Sequence, residues 1–114
     1  VPPAIRLLPL IRAAVGPKVP LLFDSGIRNG EDMVKALALG ADFVMVGRPA
    51  LFALGAEGAP GLSALLTSFA EDISVVMAQL GVTSINQLGR HVIFTDAAPH
   101  DATKPAALHI AAKT

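Results

Sequence analysis

The sequence predicts an α/β fold: a parallel strand-helix-strand unit that forms part of a larger sheet. Three observations lead there. Two short apolar runs, Leu21-Leu22-Phe23 and Phe43-Val44-Met45-Val46, lack polar alternation, as do strands covered on both faces. Between them lies a stretch with start and stop signals of a short helix. Finally, 53% of the 114 residues are apolar and only 16% charged, where an average soluble domain is roughly a quarter charged. The chain has too few charges to coat its own surface, so protein outside this sequence is expected to cover part of it.

In chain order, Pro2 and Pro3 suit a first helical turn, where the N–H that proline lacks would be orphaned. Ile5, Leu7, Leu8, Leu10 and Ile11 give a broad apolar face to a helix that closes near Ala14, before Gly16-Pro17. Pro9 opposes this assignment, because an interior proline kinks or breaks a helix. After the first strand and the turn Asp24 to Asn29, Asn29 is the expected N-cap and Asp32 its capping-box partner. That helix runs from Gly30 to Leu39 and stops at Gly40. The second strand, Phe43 to Val46, completes a βαβ unit, whose crossover is almost always right-handed. Two parallel strands leave open edges and an uncovered face, so the missing strands belong elsewhere.

Downstream, Pro49 to Gly55 reads as a short apolar helix and Ala56 to Pro60 as a glycine-rich loop. A longer helix, Gly61 to Leu80, carries Leu62, Leu65, Leu66, Phe69, Ile73, Val76 and Met77 at three-and-four spacing and is closed by Gly81. Ser84 and Gln87 open one more short helix. Periodicity fades beyond Gly89, and residues 94–114 read as an extended or partly disordered tail. The ordered domain is expected over 1–93. Val1 and the following prolines give the impression of a chain cut from something longer.

Nine basic and nine acidic side chains give zero formal charge, which provides no general attraction for nucleic acid. The absence of cysteine removes disulfides, thiolate catalysis and cysteine metal sites, and is compatible with a cytoplasmic location. No apolar run approaches the ~18 residues of a spanning helix; the longest is interrupted by Glu71 and Asp72. His91, His100 and His109 lack metal-ligand spacing, and Ser25 lies in no nucleophile-elbow pattern. Glu71-Asp72 reads as a solvated helix face, and Met33, Met45 and Met77 as core filler.

The chemistry concentrates where the two strands end. Asp24-Ser25-Gly26-Ile27-Arg28 follows the first and Gly47-Arg48 the second, so parallel strands finishing side by side bring both turns to one sheet edge. Gly26 permits close approach of a ligand, and the N–H groups of Gly26, Ile27 and Arg28 are candidates to face an anion. Gly47 and Arg48 sit at a helix start, where the dipole favours negative charge. Two guanidinium forks suit phosphate oxygens, and barrels commonly hold phosphate after their last two strands. Asp24 would be repelled by phosphate; it suits a sugar or ribityl hydroxyl, or an Asx turn. The bland alternative for each arginine is a surface ion pair.

Asp24-Ser25-Gly26-Ile27-Arg28, Gly30, Asp32 to Ala41 and Gly47-Arg48-Pro49 together closely resemble the C-terminal part of the FMN-dependent 2-hydroxy acid oxidases and dehydrogenases, a family that includes glycolate and lactate oxidases and mandelate dehydrogenases. The resemblance runs from Val1 to about Ile93. It departs at Asn29, where many members carry a second basic residue. It implies the C-terminal part of an FMN-binding (β/α)8 TIM barrel: its last two strands and following helices. Asp24, Ser25, Gly26, Ile27, Arg28, Gly47 and Arg48 are the implied cofactor-binding residues. The implied catalytic histidine, substrate arginine and flavin-N1 lysine precede Val1, so no catalytic residue and no metal site is assigned here. The implied reaction converts a 2-hydroxy acid to a 2-oxo acid, with the flavin reoxidised by oxygen or another acceptor. The implied partners are the N-terminal part of the barrel as a separate chain and further copies in a tetramer.

Two alternatives stand beside this reading. Related phosphate-binding barrels, such as inosine-monophosphate dehydrogenase-like enzymes or FMN-dependent isopentenyl-diphosphate isomerases, use similar turns. A non-catalytic phosphate-binding fragment would need only the turns themselves.

Overall fold

The computed structural model describes residues 1–94; the remainder of the expected tail, with His100 and His109, lies outside the described residues. Helix α1, Ala4–Val15, begins after Pro3 at the N-cap and runs through Pro9. The proline removes the hydrogen bond that the Ile5 carbonyl would accept. Burial of Leu8 and Pro9 offsets that loss, and the helix continues to Gly16.

Strand β1, Leu22–Phe23, pairs in parallel with β2, Phe43–Val44, in the register Leu22 to Phe43 and Phe23 to Val44. Both strands are shorter than the apolar runs suggest. The ladder nevertheless reaches beyond them, because Leu21 O accepts from Asp42 and Phe43 N–H, and Phe23 O accepts from Met45 N–H at 2.8 Å. Cross-strand partners share a face: Phe23 is buried toward the helices, whereas Leu22, Phe43 and Met45 are 61%, 65% and 48% exposed. Met45 is therefore not core filler. One face of this small sheet is covered and the other is bare.

Helix α2, Gly30–Ala38, starts as its sequence indicates, with Asn29 Oδ1 accepting from Asp32 N–H at 2.9 Å. The reciprocal half of the capping box falls one residue early: Asp32 Oδ2 accepts from Arg28 N–H at 3.0 Å rather than from Asn29. α2 closes through Leu39 into Gly40, whose φ of +119° few residues other than glycine adopt. Leu8, Phe23, Ile27, Ala36, Leu39 and Ala41 form the core, with Ile5, Leu21, Met33, Val44 and Ile93 packed around it.

Arg12, near the end of α1, organises the layer behind the strands. Its Nε donates to Gly40 O at 2.8 Å, one Nη to the carbonyls of Gly16 and Val19, and the other to Asp42. Asp42 in turn accepts from Leu21 N–H at 2.8 Å. One guanidinium thus joins α1, the approach to β1 and the turn into β2.

The expected break between two helices in residues 49–80 is present, but it is one residue long rather than the five of Ala56 to Pro60. Arg48–Leu80, α3, is two helical segments that meet in a kink at Gly58 (φ 66°, ψ −150°), with Pro60 just beyond it. One left-handed glycine bends the chain where a five-residue loop was expected. By length and composition α3 is also apolar enough to cross a membrane, with a mean hydropathy of 1.3 over eighteen residues, although Glu71 and Asp72 interrupt it as the sequence indicates. Gly81 ends it in the left-handed conformation, as expected. The last expected helix is two 3-10 turns, Ile85–Gln87 and Arg90–Val92, and Gln87 Oε1 accepts from Thr83 N–H rather than from Ser84.

Candidate functional site

Parallel strands in register end together, so the turns after β1 and β2 emerge side by side. Asp24, Ser25, Gly26, Ile27, Arg28, Gly47 and Arg48 all line one cleft of about 630 Å³, joined by Met45, Pro49 and Phe52. That volume falls within the ~300–1,000 Å³ of small-molecule sites. The sequence suggests all seven of the first group, whereas Met45 is expected there only as core filler. A smaller hollow of about 270 Å³ lies behind the first turn, with Ser25, Gly26 and Ile27 forming the partition.

The first turn is conformationally demanding. Ser25 has φ 105° and Gly26 φ 76°; for serine this is a sparsely populated conformation costing about 1–3 kcal/mol. Asp24 Oδ1 accepts from Ser25 N–H at 2.8 Å, a bond to the adjacent residue rather than the expected Asx turn. Of the three amides expected to face an anion, that of Arg28 is instead held by Asp32. The amides of Gly26 and Ile27 have no acceptor among the described residues.

The second turn places Gly47 at the N-cap of α3. No side chain caps it and no acidic residue occupies the first turn. The positive end of the helix dipole, equivalent to roughly half a charge, is left for an outside acceptor. α2 differs: Glu31 and Asp32 lie in its first turn, so its own acids answer its dipole. A Cβ built on Gly26 or Gly47 meets nothing within 4 Å, whereas one on Gly30 meets Phe69 O at 2.6 Å. Packing within the chain therefore accounts for glycine at 30, while Gly26 and Gly47 border open space. The exposed guanidinium groups of Arg28 and Arg48 complete a surround suited to a phosphate monoester.

Asp72 was read as a solvated helix face, and this is corrected. Its Oδ2 accepts from Gly30 N–H at 3.1 Å, across a separation of 42 residues. No local pattern could have revealed that pairing. The Leu21 N–H bond, and then the Arg12 guanidinium, hold the Asp42 carboxyl below the ordinary value of 3.8. His91 is exposed, and no group of three potential metal ligands occurs among the described residues.

The profile of the FMN-dependent dehydrogenase family matches residues 1–95. The chain is 45% identical over 87 residues to L-lactate oxidase of Alicycliphilus denitrificans, covering 76% of this chain and 24% of that protein. It is 42% identical over 97 residues to glycolate oxidase 1 of Oryza sativa subsp. indica, covering 85% and 26%. Among solved structures, a soluble mutant of the membrane-associated (S)-mandelate dehydrogenase from Pseudomonas putida aligns with a TM-score of 0.71 at 42% identity, over 75% of this chain and 24% of that one. The chain spans about a quarter of the length of these relatives.

Proposed function

Because the chain belongs to the FMN-dependent dehydrogenase family, we propose that its two arginine turns hold the phosphate of FMN within an (S)-2-hydroxy acid oxidase or dehydrogenase. The observation that carries this reading is the convergence of all seven candidate residues on one cleft. The cleft suits the cofactor's phosphate end on three counts: two guanidinium groups, an uncapped helix start, and glycines bordering open space. In this role Arg28 and Arg48 bind phosphate oxygens and the amides of Gly26 and Ile27 supply further donors. Asp24, with one oxygen engaged by Ser25, presents the other to a ribityl hydroxyl.

When bound, FMN supplies hydride acceptance; this chain's residues anchor and orient it. The bare sheet face of Leu22, Phe43 and Met45 fits the interior of a (β/α)8 barrel whose last two strands are β1 and β2. Residues 1–93 would form this portion, completed by strands outside these 114 residues. On our reading the assembly is a tetramer. The 2-hydroxy acid and the electron acceptor, oxygen or another, would meet the flavin on that complementary part. A cytoplasmic location does not follow from the family, since the Pseudomonas putida relative is membrane-associated.

A flavin titration of the assembled protein tests the role. Arg48→Ala is expected to weaken FMN binding by about 1.5–3 kcal/mol, the range for hydrogen bonds to charged groups, or about ten- to a hundredfold. Unchanged FMN affinity would remove Arg48 from the site.

A further inference from the structure

We infer that Asp72, which lines no part of the cleft, is a positioning residue that sets the Arg28 turn relative to Arg48; the inference rests on the FMN-phosphate reading above. α3 begins at the cleft with Arg48, bends at Gly58 and returns its later half to the start of α2. There the two helices touch closely. A Cβ on Gly30 would lie 2.5 Å from Asp72 Cβ, 2.6 Å from Phe69 O and 2.8 Å from Ile73 N. Into this contact Asp72 Oδ2 accepts the Gly30 N–H at 3.1 Å, satisfying one of the orphan donors at the start of α2.

From Gly30 the connection to the site is short. Asn29, the preceding residue, caps Asp32 N–H at 2.9 Å, and Asp32 returns a bond to Arg28 N–H at 3.0 Å. An unbroken run of hydrogen bonds and backbone thus leads from Asp72 to the Arg28 turn. Arg48 starts the segment of α3 before the Gly58 kink and Asp72 lies on the segment after it, so the two arginine turns are connected through α3 and that kink. The charges are apportioned consistently. Asp72, Glu31 and Asp32 stand at the start of α2, while the first turn of α3 has no acid. The carboxylates answer the α2 dipole and leave that of α3 to the ligand.

The test compares FMN with riboflavin, which lacks the phosphate, in the full chain in the assembly in which it is isolated. Asp72→Ala is expected to weaken FMN binding about tenfold, from the loss of a charge-assisted bond that positions the turn, with riboflavin affinity unchanged. Asp72→Glu, which restores the carboxylate, is expected to recover part of the loss. If circular dichroism shows the alanine variant unfolded, Asp72→Asn carries the test, with the same selective loss of FMN affinity expected at smaller size. Unchanged FMN affinity, or equal losses for FMN and riboflavin, would overturn the inference. If the unsubstituted protein binds riboflavin as tightly as FMN, the phosphate reading itself fails, and the role of Asp72 with it.

Discussion

Arg12 and Asp42 show how much of this fold depends on single side chains. The lowered Asp42 carboxyl, caused first by the Leu21 N–H and then by Arg12, links the strand layer to pH. A carboxyl that binds its proton less readily in the folded state stabilises that state above its unfolded value; the contribution disappears as pH falls through the lower folded value. Denaturant unfolding measured across acidic pH should therefore show the stability advantage over Asp42→Asn narrowing as pH falls below about 4. An advantage that stays constant with pH would mean that the charge of Asp42 contributes nothing. At this scale the sequence was partly legible. Arg28 and Arg48 announced themselves by lying beside glycine after apolar runs. Asp72, Arg12 and Asp42 did not, because their partners are distant in the chain.

The βαβ unit was legible because its signals are local: unbroken apolar runs, Asn29 at the N-cap and Gly40 at the stop. The break in α3 was legible as a glycine-rich stretch, but its extent was not, since only the backbone shows that Gly58 alone leaves helical geometry. The packing of α3 on α2 gives a prediction at the same scale. Gly30→Ala puts a methyl carbon into backbone atoms of Phe69 and Ile73, which cannot yield as a flexible side chain would. A loss of about 1–3 kcal/mol is expected, as for overpacked cores, read by urea denaturation. Gly47 borders open space at a negative φ, so the expected effect of a side chain there is on ligand binding; Gly26 also borders open space, but its φ of +76° strains any side chain.

As a whole, the molecule is a small α/β layer with one bare sheet face and an apolar composition, and it spans about a quarter of the length of its relatives. Low charge, unsatisfied strands and the bare Leu22-Phe43-Met45 face each call for surrounding protein, and the first two were readable from the chain. Substrate identity was not, because on the proposed reading the residues this chain brings together hold the cofactor's phosphate rather than a 2-hydroxy acid. Recognition of a phosphate by the two turns is the proposal on which the others depend. The most direct measurement is the ratio of riboflavin to FMN dissociation constants for the assembled protein, before and after combined Arg28→Ala and Arg48→Ala substitution. Two lost charge-assisted contacts predict a ratio of about a hundred or more falling toward one. A ratio near one in the unsubstituted protein, or one that survives both substitutions, would contradict it.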